Sequence, residues 1–108
     1  MGRGFQISYT TAVILQALAC GYQYGFDIID VTGLPSGTVY PALRRLEEGR
    51  LVESRWESEE VAEREQRSPR RYYELRKPGL EALAEALNRY RAITDLFSAE
   101  RPPRNSEA

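Results

Sequence analysis

The basic chemistry of this chain is almost entirely guanidinium: fourteen of its fifteen basic residues are arginine, and Lys77 is the single lysine. A guanidinium is a planar fork of donors that matches phosphate oxygens and the O6/N7 edge of guanine. Two groups of arginines stand out. Arg44 and Arg45 follow Ser36-Gly37-Thr38-Val39-Tyr40-Pro41, and Arg67, Arg70 and Arg71 precede Tyr72-Tyr73. Small residues at Ser36 and Gly37 permit close approach of a ligand backbone. The hydroxyls of Thr38 and Tyr40 can bond phosphate oxygens, and the free N–H groups of a helix start attract anions. Each group has a plainer reading. The first also describes an amphipathic helix with two solvated arginines. The second also describes a charged loop, whose Glu59, Glu60, Glu63 and Glu65 would repel phosphate.

Other chemistry is poorly provided for. Histidine is absent and Cys20 is the only cysteine, which removes the usual zinc ligand sets, a histidine-based triad and an internal disulfide. No glycine-rich phosphate loop appears. Glu47-Glu48 and Glu59-Glu60 lie in strongly polar stretches and read as surface charge. An enzyme is therefore not expected, nor a metal or other cofactor. The formal net charge is −1. Taken alone it argues against nucleic-acid binding, but charge placement counts for more than its sum. No apolar run approaches the ~18 residues of a membrane helix. The opening MGRGFQ lacks the apolar stretch of a signal peptide, so a cytoplasmic protein without membrane contact is expected.

The elements that would position these residues follow from apolar spacing. Residues 8–20 read as a first helix, capped by Ser8, Thr10 or Thr11 and ended by Gly21. Residues 24–31 read as a short second helix with Phe26, Ile29 and Ile28 inward. A third helix is expected from a cap at Ser36 to Glu48, with Gly49 ending it. Its Val39, Ala42, Leu43 and Leu46 share one face, opposite Gly37, Pro41, Arg44 and Glu48. Pro41 costs that helix one internal hydrogen bond. Residues 51–57 and 70–76 read as strands joined by a polar loop, 58–69, with a mobile tip. Pro78 suits the start of a last helix, and the tail 100–108 reads as disordered. The expected fold is mainly α with a small β-hairpin. Residues 1–76 form a winged helix-turn-helix and 77–99 a terminal dimerisation helix.

That terminal helix carries Leu80, Leu83, Leu87, Tyr90, Thr94 and Phe97 at spacings of three and four. The stripe is too long for so small a domain to cover, and exposed apolar surface costs ~25 cal/mol per Å2. A second copy is the expected cover, with Val13, Leu15 and Leu18 of the first helix as its counterpart. Such a homodimer would match palindromic half-sites about 34 Å apart on double-stranded DNA. Tyr9, Tyr90, Phe97 and Trp56 could line a cavity for a small aromatic effector, although Trp56 fits better as core under the hairpin.

These segments also resemble a known family. Tyr24-Gly25-Phe26-Asp27-Ile28, the run from Pro35 to Glu47, the Gly49-Arg50-Leu51-Val52-Glu53 stretch and Arg71-Tyr72-Tyr73-Glu74-Leu75 look like PadR family transcriptional regulators, in the subfamily with one C-terminal dimerisation helix. The resemblance spans roughly Ser8 to Leu87. It implies a dimeric winged-helix repressor released by small molecules. The implied DNA contacts are Ser36, Gly37, Thr38, Tyr40 and Arg44, with hairpin arginines beside them. The alternative is a winged-helix module that binds a protein and no specific DNA, which the negative net charge favours.

Overall fold

The computed structural model describes residues 7–97. The tail 100–108, and positions 98–99 of the expected terminal helix, lie outside them. Ser8 starts the first helix, α1 (Tyr9–Ala19): its Oγ accepts the Thr11 N–H at 3.1 Å. Ala12, Val13, Ile14, Leu15, Ala17 and Leu18 are all buried, so α1 is apolar around most of its circumference. It is the central pillar: the second helix, the second strand, the last helix and the 3-10 turn after it all pack against it. Gly21, at φ 102°, turns the chain away in a backbone region that costs glycine nothing.

The second helix, α2 (Gly25–Thr32), ends at the left-handed Gly33. Thr32 Oγ1 donates to the Ile28 carbonyl at 2.6 Å and accepts the Leu34 N–H at 3.1 Å, which shapes the turn. Ile28 is fully buried and Ile29 half-buried, as their spacing implies. Phe26 is not inward: it is 72% exposed. The inner face of α2 is so short that only Gly25 and Ile28 are buried on it. The third helix, α3 (Ser36–Glu48), buries Val39, Ala42, Leu43 and Leu46, the four positions expected. Its cap differs. Pro35 is the N-cap, no side-chain oxygen caps the helix, and Ser36 is its first residue.

The hairpin pairs β1 (Val52–Trp56) with β2 (Arg71–Leu75) in antiparallel register, from Val52 opposite Leu75 to Trp56 opposite Arg71. The connection is not a mobile polar loop. It holds a fourth helix, α4 (Glu59–Arg64), whose cap Ser58 accepts the Val61 N–H at 3.2 Å. Glu59 and Glu60 in its first turn suit the helix dipole, and Ala62 anchors it by burial. The hairpin is tied to the helices by a Tyr24–Tyr72 bridge and by the Tyr73 N–H on the Gln23 carbonyl, 2.9 Å.

Helix α5 (Lys77–Arg89) has Pro78 in its first turn and enters by direct contact with backbone. A Cβ on Gly79 would lie 3.1 Å from the Leu51 carbonyl carbon. The expected continuous helix to residue 99 does not form. Tyr90 (φ −116°, ψ 76°) breaks it, and a 3-10 helix (Arg91–Asp95) follows. The cause is burial. Bending back lets Ile93 bury completely, sets Tyr90 edge-on to Tyr9 at 5.3 Å, and brings Phe97 to Tyr22 at 6.2 Å. The stripe thus covers much of itself on its own α1. No helix among the described residues is long and apolar enough to cross a membrane.

Candidate nucleic-acid interface

The outward side of α3 is open. Ser36, Gly37, Tyr40, Pro41, Arg44 and Arg45 are exposed and Thr38 is half-buried. A Cβ on Gly37 would meet nothing within 4 Å, so the first turn offers bare backbone to an approaching ligand. Pro41 lacks the N–H that would reach the Gly37 carbonyl, which leaves that acceptor free at the same place. Neither Arg44 nor Arg45 is ion-paired to a carboxylate among the described residues. Over nearly three turns the outward side of α3 therefore presents small residues, hydroxyls and two guanidinium groups without a carboxylate partner among the described residues.

The Tyr40 ring rests against Gly25 of α2. A Cβ on Gly25 would lie 2.8 Å from its Cζ, so only glycine lets the ring rest there. The bare Gly25 thereby makes room for the Tyr40 ring, a dependence that helical spacing does not reveal.

The hairpin arginines are arranged differently. Arg67 grips Glu57 through both nitrogens, at 2.7 and 3.0 Å, and the Glu57 side chain is only 10% exposed. The guanidinium, helped by the Arg70 backbone N–H at 3.1 Å, pulls the Glu57 carboxyl down to about 2, and Glu57 in turn raises Arg67. Arg71 reaches across to α3. Its Nη2 donates to Glu47 Oε1 at 3.1 Å and its Nε to Ser54 Oγ at 3.0 Å, while Ser54 Oγ itself donates to Glu47 Oε2 at 2.7 Å. Of the three, only Arg70 makes no salt bridge through its guanidinium among the described residues; that group lies over the Tyr24 ring, 4.9 Å from its centre, and adds to the positive field on Glu57.

Trp56 is not core under the hairpin. It is 64% exposed, with the Arg71 guanidinium over its ring at 5.6 Å. The rings expected beside it pack elsewhere, Tyr9 on Tyr90 and Phe97 on Tyr22. Instead Trp56, Tyr24, Phe26 and Tyr40 line one cleft between α2, α3 and the hairpin. Glu47, Glu57, Tyr24 and Phe26 were all missed as site residues from sequence. The signal available for α4 was Ser58-Glu59-Glu60, a cap followed by acids in the first turn.

The eight positions expected to face a second copy divide. Val13, Leu15, Leu18 and Leu83 are buried within the single chain, Leu15 with no exposed surface at all. Leu87, Tyr90 and Phe97 are half-buried and Thr94 is exposed. Leu80, at 51%, is the large apolar side chain of α5 that stays exposed.

Residues 14–85 match the transcriptional regulator PadR-like family, more than half of the chain. A PadR family transcription regulator from Clostridium difficile R20291 is 26% identical, with 83% of this chain and 95% of that one covered at a TM-score of 0.67. A PadR family transcriptional regulator from Eggerthella lenta is also 26% identical, covering 80% and 77% at a TM-score of 0.58. A PadR-like transcription factor from Bacteroides fragilis is 27% identical, covering 79% and 84% at 0.58. Among curated proteins none matches this chain.

Proposed function

The chain belongs to the PadR-like family of transcriptional regulators, and on that premise we propose that it is a homodimeric, sequence-specific DNA-binding repressor released by a small aromatic molecule. One observation carries the reading: the exposed start of α3, with bare backbone at Gly37 and no carboxylate on Arg44 or Arg45. A recognition helix enters the major groove by this end. Ser36, Gly37, Thr38 and Tyr40 then approach backbone and base edges, and Arg44 and Arg45 reach phosphate or guanine. From the hairpin, Arg70 takes phosphate. Arg67 and Arg71 hold the hairpin in shape through Glu57 and Glu47. Two copies join through the outer side of the terminal segment, where Leu80, Leu87, Tyr90 and Thr94 retain surface, with Tyr9 beside them. Their two recognition helices then meet palindromic half-sites about 34 Å apart. A bacterial regulator of this kind works in the cytoplasm.

The experiment is selection of bound duplexes from a random pool at 150 mM salt, with the mass of the protein in solution measured alongside. A dyad-symmetric consensus bound by a two-chain species is expected. A featureless pool would overturn specific binding, and a monomer would overturn the pairing. The second reading, a protein-binding winged helix, is favoured by the acidic α4, with Glu59, Glu60 and Glu63 exposed on it. It gains if the pool stays featureless.

A further inference from the structure

Large apolar side chains that stay exposed among the described residues fall into two groups. Tyr9 and Leu80 stand on α1 and α5, where the proposed pairing covers them. Phe26, Tyr40 and Trp56 gather around one cleft between α2, α3 and the hairpin, and nothing proposed so far covers Phe26 or Trp56. Phe26 is 72% exposed and Trp56 64%, and apolar surface left in water is costly. Exposed apolar residues grouped in this way, unlike scattered ones, mark an interaction surface.

The cleft itself is small, about 260 Å3, below the roughly 300 to 1,000 Å3 of small-molecule sites. Its rim is what meets a partner. Phe26 is the second residue of α2, Tyr40 stands on the outward side of α3, and Trp56 ends β1 opposite Arg71. Gly25, just before Phe26, makes room for the Tyr40 ring, so α2 and α3 meet at the rim. The Arg71 guanidinium lies over the indole of Trp56 and is itself held by Glu47 and Ser54, which fixes how that ring stands. The rim thus continues the outward side of α3 onto α2 and the hairpin. That continuity names the partner. A duplex whose major groove takes α3 runs one of its strands past this rim. Its phosphates suit arginine, but between successive phosphates the strand exposes deoxyribose, whose C–H face carries no charge to pair.

We propose that Phe26 and Trp56 form an apolar brace that packs on the deoxyribose face of the strand bordering the groove α3 enters. The brace rests on the DNA-binding reading above and adds to it a contact that releases no counterion. The arginines then set how steeply binding depends on salt, and the brace supplies affinity that salt does not screen.

The test uses the full-length protein and a duplex from the bound fraction of the random pool. Trp56 is the only tryptophan in the chain, so its emission reports on this rim alone. That emission should change as the duplex is added and level off at saturation; unchanged emission with the duplex bound overturns the contact. Phe26→Ser and Trp56→Ala should each lower affinity about tenfold, the worth of roughly 55 Å2 of apolar surface taken from water. Both should leave the slope of log affinity against log salt at the parent's value. Phe26 is so exposed that its replacement should keep the parent's melting temperature, which separates a lost contact from a lost fold. Trp56→Phe should recover most of the Trp56→Ala loss. Parental affinity in both variants, or a slope reduced by about 0.9 as for a lost phosphate contact, overturns the brace. A single 2′-hydroxyl moved along the strand should weaken the parent at the braced nucleotide, because it sets a polar group against the rings. The variant with both Phe26→Ser and Trp56→Ala should not feel it, and equal sensitivity of the two proteins overturns the sugar contact. Gel shifts of the parent alone read whether the duplex is bound at all, so failure of the DNA-binding reading shows there and failure of the brace only in the variants.

Discussion

Helix α3 and the hairpin carry the same side chain to opposite ends. On α3, Arg44 and Arg45 face solvent without a carboxylate partner among the described residues. On the hairpin, Arg67 is locked to a nearly buried Glu57 and Arg71 is triangulated by Glu47 and Ser54. An arginine that already satisfies a carboxylate must give it up before it can take a phosphate, and a paired charge adds little long-range field. The count of arginines therefore overstates the positive surface of the hairpin, and the negative net charge understates that of α3. What matters is which guanidinium groups are left over.

The contrast is tested most strongly by paired double variants. Thr38→Ala with Arg44→Ala should lower duplex affinity on the order of 100-fold, about 3 kcal/mol for two lost polar contacts. Arg67→Ala with Arg71→Ala should lower it no more than a few-fold. Gel-shift titrations at fixed salt decide between them, and equal losses would erase the distinction between the regions. Next in size is Gly37→Ala. Its new methyl meets nothing in the protein, so stability should hold or rise by up to about 1 kcal/mol of helix propensity. The same methyl stands on the face that approaches DNA, and affinity should fall about tenfold. A variant that binds as tightly as the parent would place the duplex elsewhere.

Much of α3 was legible in the sequence, because its information is local. The spacing of Val39, Ala42, Leu43 and Leu46 fixes the buried face, and the opposite face follows from it. The hairpin partnerships were not legible. Arg67 and Glu57 are ten positions apart with a helix folded between them, and Arg71 finds Glu47 across 24 positions. No periodicity links such pairs. The terminal segment shows the same division. The stripe from Leu80 to Phe97 correctly marked an apolar face, yet the helix breaks at Tyr90, because Ile93 gains more by folding onto α1 than by continuing straight. Phe26 and Trp56 went astray for a related reason. Large aromatics are usually buried, and these two stay exposed at the cleft between α2, α3 and the hairpin.

A smaller effect sharpens the comparison through salt. If Arg44 meets one phosphate, Arg44→Ala should reduce the slope of log affinity against log salt by about 0.9. Arg71→Ala should leave it unchanged, since Arg71 is neutralised by Glu47 before DNA arrives. Slopes measured between about 50 and 200 mM salt read this directly, and a reduced slope for Arg71→Ala would show that the Glu47 pair opens on binding.

The smallest effect is seen without DNA, at low pH, and concerns the hairpin alone. Glu57 is held down to about 2 in the folded chain, chiefly by the Arg67 hydrogen bonds, whereas a free glutamate titrates near 4.3. A carboxyl whose folded value is depressed contributes stability that is complete above the unfolded value and lost as pH falls toward the folded one. The Glu57 contribution should thus be constant from neutrality down to about pH 4.3 and decline from there to about pH 2. Arg67 stays charged throughout, so the loss belongs to the carboxylate. Glu57→Gln removes that titration, and its melting temperature should fall less steeply than the parent's over this window while running parallel above it. Neither arginine of α3 should show such a signature, because neither Arg44 nor Arg45 holds an acid to be protonated. Parallel curves for Glu57→Gln and the parent through the acid window would mean that the Arg67 grip is loose in solution. The hairpin arginines would then be as free for phosphate as those of α3.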